Sequence, residues 1–221
     1  MSERVALVTG ASRGLGAALA QALASTHHII AVAKTAGGLE DLDDRIQSAG
    51  GQATLAPMDI TNAQAMAHLA GSIAQRWGGL DVWLHTAVHA APLSPVDHVS
   101  HKDWGKSFDV NVHAPAQMIS VLAPVLKKDG AAVFFDDPNA TGKFFASYAA
   151  SKAAHRATVA AWQSETKNNG PQVHLLVPAP MPTATRARFF PGEDTAPLRP
   201  CTQVAQDVLQ FLAAKGAVGS Q

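Results

Sequence analysis

Thr9-Gly10-Ala11-Ser12-Arg13-Gly14-Leu15-Gly16 decides how the chain reads. Just before it, Val5-Ala6-Leu7-Val8 is a short apolar run, the pattern of a buried strand. Just after it, small residues continue as a helix through Leu23. A helix that starts straight after such a turn has unpaired N–H groups and the positive end of its dipole at the tip. Gly10 permits the sharp turn, while Gly14 and Gly16 keep Cβ atoms out of an approaching ligand's way. The backbone from Ser12 through Leu15 to Gly16 is therefore the expected cradle of a diphosphate.

The same alternation continues along the chain. Ile29 to Ala33 reads as a second strand, Leu39 to Ala49 as a helix stopped by Gly50-Gly51, and Ala53 to Ala56 as a third strand. Met66, Leu69, Ile73 and Trp77 share one face of the next helix, which Gly78-Gly79 ends; Asp81 to His85 is the fourth strand. Phe108, Val112, Ile119, Leu122 and Leu126 recur near helical spacing and predict one long helix. Ala132 to Phe135, a helix from Ser147 to Thr166, Val173 to Val177 and a helix from about Thr202 to Lys215 complete the series. The exit Pro178-Ala179-Pro180-Met181-Pro182 cannot lie inside a helix. Strands alternating with helices imply a parallel sheet covered on both faces. No linker or repeat interrupts the pattern, so residues 1–221 are expected to form a single domain.

Hydrophobic residues make up 47% of the chain, enough for a sizeable core. Seventeen Lys and Arg balance seventeen Asp and Glu, which removes the electrostatic ground for a nucleic-acid or anionic-membrane partner. No apolar run approaches a membrane span, and Met1-Ser2-Glu3-Arg4 leads directly into a strand without a signal peptide, so the cytoplasm is the expected compartment. The lone cysteine, Cys201, excludes an internal disulfide and reads as a small packing residue. Ten histidines lack a third partner at metal-ligand spacing; no metal is expected, and most should sit at the surface or in N-terminal turns. His85 and His89 border the loop after the fourth strand, within reach of a ligand. Trp77 and Trp162 are expected to pack from helix faces.

Tyr148-Ala149-Ala150-Ser151-Lys152 places a phenol and an ammonium four residues apart on one helix face. A phenol titrates at about 10 and is a poor base at neutral pH. A neighbouring cation stabilises phenolate and draws that value down. Tyr148 is the only tyrosine in the chain.

The T-G-x-x-x-G-x-G turn after the first strand and the Y-x-x-x-K pair after the fifth together resemble the short-chain dehydrogenase/reductase family. The resemblance spans nearly the whole chain. It implies an α/β fold of Rossmann type: a doubly wound parallel sheet of about six strands, order 3-2-1-4-5-6, in three α/β/α layers. It also implies hydride transfer between a nicotinamide dinucleotide and a small carbonyl or alcohol. Tyr148 would handle the proton at the substrate oxygen, and Lys152 would hold the nicotinamide ribose and polarise Tyr148. Asn111 would support a water-linked proton relay to Lys152, or else act as an ordinary buried amide. Asp59, followed by Ile60, matches the family's adenine contact, and it also suits the start of the next helix. Thr86, Ala87, Pro178 and Thr183 complete the implied cofactor surface. An NAD site usually carries a carboxylate at the end of the second strand. Ala33-Lys34-Thr35 has none there, and Lys34 with Arg13 suits a 2′-phosphate, so NADP is expected and NAD is the alternative. Family members pair through the helices that correspond to those from Trp104 and from Ser147. No seventh strand follows Lys215, so a homodimer is expected.

Three departures from the family pattern surround the active centre. His85-Thr86-Ala87-Val88 replaces the usual N-N-A-G, and Pro178-Ala179 replaces P-G. The catalytic serine is missing: Phe134-Phe135-Asp136-Asp137-Pro138-Asn139-Ala140-Thr141 contains none, and Asp137 aligns with it. An ionised carboxylate cannot donate a hydrogen bond, and its charge opposes Lys152 by raising the phenol pKa. Three outcomes follow. Asp137 is held protonated by burial; Asn139 or Thr141 supplies the donor; or catalysis is lost and the chain is a dinucleotide-binding sensor or partner subunit. Met181 to Pro200 occupies the family's variable lid, where Arg186, Arg188, Phe189-Phe190 and Glu193-Asp194 suit an acidic or aromatic carbonyl.

Overall fold

Six parallel strands lie in the order 3-2-1-4-5-6, the doubly wound arrangement that the resemblance implied. The computed structural model describes residues 3–218; Met1 and Ser2, read above as part of a leader-free start, lie outside them, as do residues 219–221. The strands are β1 (Val5–Thr9), β2 (His28–Ala33), β3 (Ala53–Pro57), β4 (Leu80–His85), β5 (Leu126–Phe135) and β6 (Gln172–Leu176). The helices are α1 (Gly14–Leu23), α2 (Ala36–Ser48), α3 (Ala63–Trp77), α4 (His101–Phe108), α5 (Ala114–Leu122), α6 (Ala146–Thr166), α7 (Ala184–Phe189) and α8 (Cys201–Ala214).

Both faces of the sheet are covered, which explains the unbroken apolar runs in its central strands. Val8, Ala31, Leu84 and Val133 face one layer, packing with Leu19 of α1, Leu42 of α2 and Val208 of α8. Leu7, Ile30, Trp83 and Phe134 face the other, against Ile73 of α3, Met118 of α5 and Trp162 of α6. Cys201 is half-buried and packs against the first layer. Trp83 and Phe134 meet edge to face, with ring centres 4.9 Å apart, under the C-terminal end of the sheet.

The structure corrects the sequence reading in two places, the long helix after Phe108 and the burial of the histidines. The long helix expected from Phe108 to Leu126 is two helices joined by a π turn, Asp109–His113, and Leu126 begins β5. Leu122 and Leu126 both point into the layer beneath α5, so their spacing reports a shared face rather than a shared helix. β5 reaches Leu80 through a register shift before Val82. In that shift Gly130 lies so close to the Asp81 carbonyl that a Cβ would sit 2.7 Å from it. The exit from Pro178 to Pro182 is not helical, and the expected lid after it contains a short helix, α7. The histidines are not mainly superficial: His27, His28, His85 and His155 are buried. Among the described residues, no helix is long and apolar enough to cross a membrane, and no group of His, Cys, Asp and Glu is placed to hold a metal ion.

Candidate active site

Gly10 turns with φ +76°, and its N–H donates to the Val32 carbonyl at 2.8 Å, which pins the turn to β2. A Cβ at Gly10 would sit 2.7 Å from the Ala87 nitrogen. A Cβ at Gly16 would collide with the Gly10 carbonyl oxygen and with Thr86 Oγ1. That hydroxyl donates to the Thr9 carbonyl at 2.7 Å, so Thr86 fastens β4 across the turn. The glycines are thus required by close backbone approach, and the tip of α1 is left open to a ligand. Arg13, the residue before α1, is exposed, and no ion pair engages it among the described residues.

The turn opens on a cleft of about 810 Å³ along the C-terminal ends of the strands. Gly10, Ser12, Arg13, Gly14, Leu15, Gly16, Lys34, Asp59, Ile60, Thr86, Ala87, Pro178 and Thr183 line it, as do Tyr148, Lys152 and Asp137. These residues come to one surface although their positions span most of the chain; Asn111, His89 and Thr141, also expected near it, do not line the cleft. At the end of β2, Lys34 is not a lone cation: its ammonium pairs with Asp59 at 2.5 Å. Burial works upward on the Asp59 carboxyl, but Lys34 and the Thr61 hydrogen bonds hold it below its ordinary value. Thr183 caps α7 by accepting from the Arg186 N–H at 3.2 Å.

Tyr148 and Lys152 are both buried on α6, one turn apart. The Tyr148 hydroxyl donates to Asp137 Oδ2 at 3.3 Å. Burial first, and then the negative charges of Asp137 and Asp136, push the Tyr148 phenol upward. This overturns the expectation that Lys152 draws it down. The Lys152 ammonium instead donates to the Phe135 carbonyl at 2.5 Å. Burial lowers that lysine to about 8, against the opposing pull of Asp136 and Asp137. Asp136, also buried, pairs with Arg156 at 3.2 Å. Of the alternative donors, Asn139 lines the cleft, while Thr141 is exposed outside it.

Asn111 is buried in the π turn, and its side chain serves as a staple. It accepts from the His89 N–H at 2.7 Å, donates to the His89 carbonyl at 2.9 Å and donates to Ser151 Oγ at 2.9 Å. Its own carbonyl accepts from His155 Nδ1 at 2.9 Å. His155 was missed, although it lies one turn beyond Lys152 on the same face. His85 forms the cleft floor, hydrogen-bonded to Thr9 Oγ1 at 2.8 Å; its ring lies 5.9 Å from that of His155. The Nε2 atoms of both rings are buried without a partner among the described residues. His89 is tied to Asn111 and does not line the cleft.

The lid cations do not wait for an acidic substrate. Arg186 makes a two-pronged pair with Glu193, at 2.5 and 2.6 Å, and Arg188 donates to the Ala90 carbonyl at 2.8 Å. Phe189 stands at 4.8 Å, edge to face, against the Tyr148 ring and at 4.9 Å against Phe145.

The family model for short chain dehydrogenases matches residues 4–194, and the chain belongs to that family of oxidoreductases. Among solved structures, the oxidoreductase yciK of E. coli superposes with a TM-score of 0.88 at 25% identity, over 98% of this chain and 92% of its own. A metagenomic short-chain oxidoreductase in complex with NADP gives 0.80 at 25% identity, over 96% and 90%. The cis-4-hydroxycyclohexanecarboxylate dehydrogenase of Sinomonas cyclohexanicum is 32% identical across 50% of this chain and 45% of its own. A short chain dehydrogenase of Pseudocercospora fijiensis is 33% identical across 68% and 51%. The chain thus matches about half the length of these curated relatives.

Proposed function

We propose that the chain binds NADP(H) along this cleft and exchanges a hydride with the carbonyl or alcohol carbon of a small molecule. The observation that carries the reading is the single cleft that joins the open tip of α1 to the buried Tyr148–Lys152 pair. The residues present fit a dinucleotide, because Ser12 to Gly16 at the start of α1 line the cleft, and the close packing of Gly10, Gly16 and Thr86 fixes that turn. Arg13 and Lys34 supply cations at the ribose end. The Lys34–Asp59 pair is largely exposed on the lysine side, and such surface pairs are worth about 0–1 kcal/mol, so Lys34 is free to take a 2′-phosphate instead. When bound, the nicotinamide supplies or accepts the hydride.

Tyr148, kept protonated by burial and by two carboxylates, carries the proton that a carbonyl oxygen would take up, and a bound substrate and cofactor would have to offset those carboxylates for it to be an effective acid. Lys152 sits where it would hold the nicotinamide ribose. The exposed small residues Ala153, Ala157 and Ala160 of α6 support a homodimer through this helix. One observation favours a second reading, a binding protein without turnover: Asp137 occupies the phenol hydroxyl that a substrate would need.

The test is oxidation of NADPH against a panel of ketones and aldehydes by the wild type and by Tyr148→Phe. Loss of general acid catalysis is expected to slow the variant by about 100-fold or more, with NADP affinity unchanged by calorimetry. If both proteins are inert while NADP binds, the binding-protein reading replaces the first.

A further inference from the structure

Asp137 differs from every other charged group at the substrate end of the cleft. Asp136 is paired with Arg156, Arg186 with Glu193, and the Lys152 ammonium is turned to the Phe135 carbonyl. No salt bridge engages Asp137 among the described residues, and the only donor to its side chain is the Tyr148 hydroxyl. On the proposed reading, that hydroxyl must leave Asp137 to meet the substrate oxygen. A half-buried carboxylate would then lose its donor from the protein, and a ligand that carries its own donor can replace it.

We infer that the substrate brings the replacement itself: a protonated amine on the carbon next to the one that reacts, as in an α-amino ketone or a 1,2-amino alcohol. The phenol and carboxylate oxygens stand 3.3 Å apart. An oxygen and a nitrogen on neighbouring carbons are themselves near hydrogen-bond distance, so one can face Tyr148 while the other faces Asp137. The ammonium neutralises the carboxylate and restores its hydrogen bond, and this charge-assisted bond is roughly twice as strong as a neutral one. Phe189 and Phe145 provide an aromatic wall beside the phenol, suited to an aryl or other apolar group on the same molecule. In the lid, Arg186 is paired with Glu193 and Arg188 donates to the Ala90 carbonyl. A site whose polar group must be satisfied rejects an analogue that lacks the partner more strongly than an apolar pocket rejects a change of size.

This inference rests on the oxidoreductase reading for the reaction, but its test does not need turnover. Calorimetric titration compares 2-amino-1-phenylethanol with the neutral 1-phenylethane-1,2-diol, with and without NADP present, in the wild type, Asp137→Asn and Asp137→Ser. The amine is expected to bind the wild type about tenfold more tightly or better, and that preference should vanish in both variants. Thermal unfolding of each variant, matched to the wild type, confirms that the fold is kept. Equal affinity for amine and diol, a preference that survives both substitutions, or no binding of either ligand overturns the inference. Failure of NADP to bind, with the amine preference intact, overturns the oxidoreductase reading and leaves the cation site standing.

Discussion

Lowering the pH from 7.5 to 5 should remove a large part of this protein's stability, because the fold buries histidines in the neutral form. Burial is the main cause at both His155 and His27, and each is lowered from 6.5 to about 4. His85, wholly enclosed, moves the same way for the same reason, with the nearby His155 and Lys152 adding to it. In the unfolded chain these rings take up protons as the pH falls through 6.5; in the native state they refuse them until about 4. Protons therefore favour the unfolded state between those values, and stability is nearly flat above 6.5 and declines below it. At pH 5 each withheld proton costs about 2 kcal/mol, so His155 and His27 together cost about 4 kcal/mol. Typical domains have a total of about 5–15 kcal/mol, so the loss is large. Urea unfolding at pH 7.5, 6.5, 5.5 and 5.0 should give a midpoint that falls slightly between the first two and more steeply over the last two. Equal stability at pH 7.5 and 5.0, or native-state imidazole resonances assigned to His27 and His155 that titrate near 6.5, would refute the reasoning.

Two other outcomes test the dinucleotide end. Gly16→Ala forces a methyl group between the Gly10 carbonyl and Thr86 Oγ1, and should destabilise the fold by about 1–3 kcal/mol while removing NADP binding; thermal unfolding and calorimetry read the two effects separately. Arg13→Ala combined with Lys34→Ala should weaken NADP by about tenfold or more, as expected for lost charge-assisted bonds, while leaving NAD nearly unchanged; measured affinities for both dinucleotides check it.

Much of this architecture was legible because it depends on short-range rules. A strand, a glycine turn and a helix follow one another in β1 and α1, and local chemistry alone dictates that order. Tyr148 and Lys152 lie one helical turn apart, so their shared face follows from the helix period. The long helix failed for a related reason: Leu122 and Leu126 keep a common buried side across a break, and periodicity sees the side but not the break.

Charge behaviour at the site belonged to the third dimension. The sequence places Lys152 nearest to Tyr148, yet the phenol is governed by burial and by Asp137, which the end of β5 brings to within 3.3 Å. The pairings of Lys34 with Asp59 and of Arg186 with Glu193, and the burial of His85 and His155, arise in the same way. A pKa depends on which groups and how much water lie within a few ångströms. Residue order fixes those distances only along one helix or strand; between elements, packing of the folded chain sets them.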